Sequence, residues 1–162
     1  MSERWALRLG ASVPDWPAFT DSAEALIVLK RRFKLGVLSN VDRISFAASN
    51  RKLMVDFDLV VTAQDVGSYK PDTRNFDAML ARLATMGIAK HEVMHVAQSQ
   101  HHDHVPAKAV GLRSIWINRR AGRAGSGATV IPTAPVGWER EFPTLREFAA
   151  WAVADPATQA GV

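Results

Sequence analysis

Three short polar clusters in this chain carry side chains suited to handling an anion: Ser39-Asn40, Lys70, and the Gln98–His104 loop that contains Asp103. Such a site needs a hydroxyl or amide to orient the substrate, a cation to neutralise it, and an acid to hold that cation or a metal. Ser39, Lys70 and Asp103 meet that specification. Each also has a bland reading. Ser39 reads as a helix cap, with Asp42 three residues on completing an approximate capping box, and a lysine before proline reads as a solvated turn residue. What favours chemistry is their placement, because each follows a strand-like run or the turn after one. Open α/β sheets bring such positions to one C-terminal edge, where ligands bind.

The elements that must position them alternate. Ala23, Leu26 and Ile27, with Leu29 and Phe33, give an apolar helical stripe that Asp21 or Ser22 can cap. Leu35, Val37 and Leu38 make an apolar run too short for a helix, which suits a buried parallel strand over 35–39. A helix is expected from about Asp42 to Lys52, then a strand over Phe57–Thr62. After the turn Gly67–Asp72, Pro71 suits the first position of a helix that runs to Gly87. Val93–Ala97 reads as a strand and Gln98–His104 as a polar loop. Pro106–Gly111 reads as a short helix with a glycine stop, and Ser114–Ile117 as a further strand. Residues 118–143 are rich in Arg, Gly and Pro and show no periodicity. Thr144 caps a last helix with Leu145, Phe148, Ala149 and Trp151. This alternation predicts an α/β class with a doubly wound, Rossmann-like parallel sheet.

Composition sets outer bounds. With 162 residues the chain has the length of about one domain. A net charge of +4 permits an anionic partner without requiring one. The absence of cysteine removes disulfides, thiolate zinc sites and cysteine nucleophiles. No secretory signal or membrane-length apolar run is present, so a cytoplasmic chain with no membrane partner is expected. Neighbouring His101, His102, Asp103 and His104, with His95 close by, raise zinc, but adjacent residues project apart while metal ligands converge from longer spacings. The segment Arg119-Arg120-Ala121-Gly122-Arg123 lacks interleaved aromatics and a recognisable nucleic-acid module, so no nucleic-acid partner is expected. Trp116 and Trp151 read as packing residues.

The clusters resemble the motifs of the haloacid dehalogenase superfamily of hydrolases, its 2-haloacid dehalogenases above all. GVLSN resembles the second motif, which implies that Ser39 with Asn40 orients the substrate's anionic group. VVTAQDVGSYKPD resembles the third, which makes Lys70 the implied neutralising lysine. HVAQSQHHDHVPAKAVGLRSIWINR resembles the fourth with the helix and strand after it, and Asp103 becomes the implied acid. The resemblance runs from about residue 20 to 120.

The chain departs from the family pattern twice. The implied nucleophile is an aspartate ending an N-terminal strand, and no such strand precedes Ser39. Asp56-Phe57-Asp58 imitates the spacing but precedes its strand, so both acids read as loop residues. Residues 1–20 resemble the end of a mobile cap and its linker, 21–154 a partial hydrolase core, and 155–162 a tail. The resemblance therefore implies a hydrolase, with cleavage of a carbon–halogen bond through an aspartyl ester, but a chain inactive alone. Second, Gln98 stands where the phosphatase branch has a magnesium-binding acid, and glutamine brings no charge to a hard cation. No cofactor is expected, with magnesium only in a phosphatase-like reading. Two alternatives stay open: a phosphate-ester hydrolase using the same residues, and a non-catalytic anion-binding or regulatory remnant. The expected partners are a small anionic substrate and either a second copy or a strand-donating chain. Without the central strand, the strands at 35–39 and 93–97 should either pair directly or stand apart across an opening.

Overall fold

Local rules account for most element boundaries. The computed structural model describes residues 11–123 and 130–154; the first ten residues of the expected cap linker and the expected tail at 155–162 lie outside them. The elements in chain order are α1 (Ser22–Lys30), β1 (Gly36–Ser39), α2 (Arg43–Leu53), β2 (Leu59–Thr62), α3 (Ala63–Val66), α4 (Arg74–Thr85), β3 (Met94–Ala97), α5 (Val105–Ala109), β4 (Arg113–Ile117), β5 (Arg140–Phe142) and α6 (Leu145–Ala154).

The starts of α2 and α4 differ from expectation. Asp42, not Ser39, caps α2: its carboxylate accepts from the Ser45 N–H at 2.8 Å and the Ser45 hydroxyl at 2.6 Å. Ser39 is the last residue of β1 and stays outside the helix. Pro71 does not open α4, which begins at Arg74, because Asp72 Oδ1 accepts the Arg74 N–H at 2.9 Å and sets the helix start there. The end of α4 is a Schellman turn, in which Ile88 N–H donates to Leu83 O and Gly87 N–H to Ala84 O, both at 3.0 Å. Gly87 adopts φ +74°, the left-handed conformation that motif requires.

All strand pairs are parallel, with β1 beside β2 and β3–β4–β5 in sequence. Helices cover both faces. On one face, Ala25 and Leu29 of α1 join Phe148, Ala149 and Ala152 of α6 against Ile115 and Ile117 of β4. On the other, Phe76, Met79 and Leu83 of α4 and Ala107 of α5 pack on Val61 of β2. The α/β, doubly wound reading therefore holds. β5 was not expected: Arg140-Glu141-Phe142 lies in the loop region without periodicity, and a three-residue edge strand leaves almost no pattern to read.

β1 and β3 do not pair. They stand apart across a cleft of about 900 Å³, lined by residues 35–38 and 93–97 from the strands, Leu29, Phe148 and Trp151 from one layer, and Met79 and Leu83 from the other. A five-residue strand, at ~4.8 Å strand spacing and ~10 Å between layers, occupies roughly 800 Å³. The opening is thus large enough to admit one strand, and of the two arrangements expected from sequence the chain adopts the second.

Candidate active site

The polar end of this cleft is assembled from three loops, each fixed by its own backbone chemistry. Asn40 follows the last residue of β1 and grips the peptide of Lys70 at two points. Its Oδ1 accepts from Lys70 N–H at 2.7 Å and its Nδ2 donates to Lys70 O at 3.0 Å. Both ends of the amide are thereby committed to holding the turn. That turn leaves α3 at Gly67 (φ +71°) after a capping box in which Thr62 Oγ1 accepts from Asp65 N–H and Asp65 accepts from Thr62 N–H. The bond from Thr62 N–H, together with the Arg43 guanidinium, holds the Asp65 carboxyl down at about 2.

Lys70 turns its ammonium back to the sheet. Nζ donates to Leu38 O at 2.7 Å and to Asp103 Oδ1 at 2.6 Å, with side-chain exposures of 9% and 11% for the pair. An ammonium has three N–H donors, so one remains beyond the two that protein oxygens accept. Asp103 sits on a single π-turn, Gln100–His104, after β3. Ser99 starts the turn by accepting from His102 N–H at 3.1 Å. Burial opposes ionisation of Asp103, but the hydrogen bond from His95 and the charge of Lys70 outweigh it and hold the carboxyl at about 2. Asp103 is therefore an anion near neutral pH.

Asn40, Lys70 and Asp103 thus come together at the C-terminal end of β1 and β3, from positions far apart in sequence. Ser39 lies beside them at the strand end, and its hydroxyl has no protein partner among the described residues. Ser39 and Asn40 do not line the cleft, whereas Lys70 and Asp103 do.

The histidines divide by role. His104 is fully buried and uses both ring nitrogens, Nδ1 with Ser114 Oγ at 3.0 Å and Nε2 with Ala97 O at 3.1 Å. Ala97 O can only accept, so Nε2 carries a proton, while the Ser114 hydroxyl can donate to a bare Nδ1; burial pushes the ring's pKa down and so favours that neutral form. His101 and His102 meet edge to face. Among the described residues, no group of three or more His, Asp or Glu side chains could hold a metal ion. Asp103 Oδ1 is shared by a lysine and a histidine.

His95 was weighed in sequence only as a zinc ligand. It donates from Nε2 to Asp103 Oδ1 at 3.1 Å and lines the cleft. The signal that could have marked it is a titratable ring inside an otherwise apolar strand, Val93–Ala97. Asp21 does not cap α1 with its side chain. Its carboxylate instead accepts from Leu145 N–H at 2.8 Å at the start of α6 and pairs with Arg119, also at 2.8 Å. Arg119 is consequently a structural partner, stacked over Phe19 at 4.0 Å.

A doubly wound parallel sheet with this serine, lysine and aspartate arrangement defines a haloacid dehalogenase-like hydrolase fold, and residues 8–117 match that family, to which the chain belongs. It is 30% identical over 111 residues to haloacid dehalogenase-like hydrolase domain-containing protein 3 of Danio rerio, covering 67% of this chain and 45% of that protein. It is 31% identical over 107 residues to an (S)-2-haloacid dehalogenase of Pseudomonas putida, covering 64% of this chain and 45% of that one. The crystal structure of a HAD phosphatase from Thermococcus onnurineus superposes with a TM-score of 0.66 at 25% identity, over 91% of this chain and 63% of that one. The chain spans just under half the length of these curated relatives.

Proposed function

We propose that this chain carries the anion-handling half of a hydrolase site of the 2-haloacid dehalogenase type. The observation that carries the reading is the Lys70 ammonium, anchored by Leu38 O and Asp103 at the mouth of the cleft with one N–H unspent. In the reaction so read, an aspartate on a strand filling the cleft displaces halide from carbon. The resulting ester is then cleaved by water. Lys70 offsets the negative charge of nucleophile and substrate carboxylate, Ser39 Oγ orients that carboxylate, and Asn40 keeps Lys70 in place. Asp103 holds the lysine. No aspartate at a strand end occupies the cleft among the described residues, so the chain by itself should not turn over 2-haloacids, since loss of a covalent nucleophile costs several orders of magnitude in rate.

A phosphate-ester hydrolase is the second reading, favoured by the likeness to the Thermococcus phosphatase. Against it stands Gln98, which brings no charge. Calorimetry with 2-chloropropionate and with inorganic phosphate tests the two readings directly. Carboxylate binding that Lys70→Ala abolishes supports the dehalogenase type; binding of phosphate alone, and only with magnesium, sinks it.

A further inference from the structure

Two histidines lie side by side here with ring centroids 6.4 Å apart, yet their hydrogen bonding differs. His104 spends both nitrogens on the fold. His95 spends one. Its Nε2 faces the carboxylate of Asp103, which is ionised and can only accept, so Nε2 must carry the proton. In the neutral ring, Nδ1 then keeps its lone pair. That atom has no partner among the described residues, and it is not one of the sealed polar atoms left without one. The ring is fixed by an edge contact with Phe76, 5.0 Å between centroids, and His95 lines the cleft within two hydrogen bonds of the Lys70 ammonium. A carboxylate orienting an imidazole by one nitrogen, with the other open, is the geometry of a positioned base.

We propose that His95 is the general base of the hydrolytic half of the reaction, oriented through Nε2 by Asp103 and presenting Nδ1 to a water in the cleft. This rests on the hydrolase reading for its natural ester, but the base itself is a property of the residues present. As water oxygen bonds to the acyl carbon, one water proton passes to Nδ1. The carbonyl π electrons move to oxygen and then return, breaking the bond to the leaving oxygen. The proton on Nδ1 is delivered to that oxygen, so ester and water give carboxylic acid and alcohol with the ring restored. The Lys70 ammonium, with one N–H unspent, is the cation that would offset charge on the carbonyl oxygen. Asp103 then has two tasks, holding the lysine and setting the ring's tautomer.

The probe is p-nitrophenyl acetate, an acyl ester that needs no aspartyl nucleophile, followed by release of nitrophenolate from the purified chain. Other imidazoles also react, so His91→Ala with His101→Ala fixes the background they contribute and should leave the His95-dependent part of the rate unchanged. His95→Gln, which keeps a donor toward Asp103 but has no basic nitrogen, should lower the rate by about 100-fold, the low end for a positioned base. Nitrogen-15 NMR of the unmodified chain should show His95 protonated at Nε2 and bare at Nδ1. A rate unchanged in His95→Gln, or a proton found on Nδ1, overturns the proposal. Failure of carboxylate binding at Lys70 with an intact His95-dependent esterase rate would instead count against the dehalogenase reading alone.

Discussion

A buried ion pair rarely earns its place through stability, since desolvating both charges offsets their attraction. Lys70 and Asp103, each about nine-tenths covered, are therefore best explained by the site they build. Lys70→Ala leaves the Asp103 carboxylate buried with only His95 beside it, and should destabilise the chain by about 3–5 kcal/mol. Lys70→Met should cost a similar amount, whereas Lys70→Met with Asp103→Leu should regain most of the loss; urea unfolding of the three variants measures this. The pH dependence has a definite sign. Asp103 has a folded pKa of about 2, below the ordinary carboxylate value, so its contribution is complete above roughly pH 4 and disappears as pH falls through the folded value. His104 acts in the same direction at higher pH. Its folded pKa is depressed by burial, so stability is full above the ordinary imidazole value near 6.5 and declines as the unfolded chain takes up a proton below it. Melting temperature should consequently fall between pH 6.5 and 5, and His104→Gln should flatten that first decline while leaving the one near pH 3. Lys70, Asp103 and Asn40, which motif order singled out, lie together at the sheet edge. The use of Asn40 on the lysine's own peptide was not legible, because two hydrogen bonds across thirty residues leave no local trace.

At the scale of elements, periodicity and punctuation were enough wherever a segment was long or capped by its own residues. The stripe Phe76, Met79, Leu83 and the stop at Gly87 located α4, and the apolar runs located β1 to β4 to within two residues at most termini. What escaped was set by distant partners. Asp21 reads locally as the cap of α1, yet its carboxylate closes the start of α6 more than a hundred residues later. β5 exists because Ile115–Ile117 offers an edge to Arg140–Phe142, and nothing within those three residues announces it. The Schellman turn gives a clean test. Gly87→Ala meets no atom within 4 Å, so its cost is conformational alone, about 1–2 kcal/mol for a non-glycine in the left-handed region. Gly87→Asn should cost less, and chemical denaturation should separate the two.

On the scale of the whole molecule, the cleft divides one sheet into two. Its sides are the inner edges of β1 and β3, two rows of N–H and C=O groups with no strand between them. A free edge is a template for another strand, and here two parallel edges face each other between apolar layers built from Leu29, Phe148, Met79 and Leu83. Each N–H or C=O that is covered but left unpaired costs about 1–3 kcal/mol, and a domain has only ~5–15 kcal/mol in total. Four such groups would consume that margin, so the cleft must stay wet, close up, or accept a strand. The last route pairs both edges at once and buries the apolar lining, as in strand addition generally. A synthetic apolar peptide of five or six residues ending in Asp-x-Asp should therefore raise the melting temperature, and its terminal acids should come to rest beside Lys70. The same peptide with proline at its centre, which removes a ladder donor, should have no effect, and Lys70→Ala should weaken the gain from the acidic peptide more than from one ending in Asn-x-Asn. Without a peptide the chain should unfold at low temperature or associate through these edges. Cooperative unfolding of a monomer above about 60 °C, in the upper part of the mesophilic range, would show that the divided sheet is stable alone and that the cleft needs no strand.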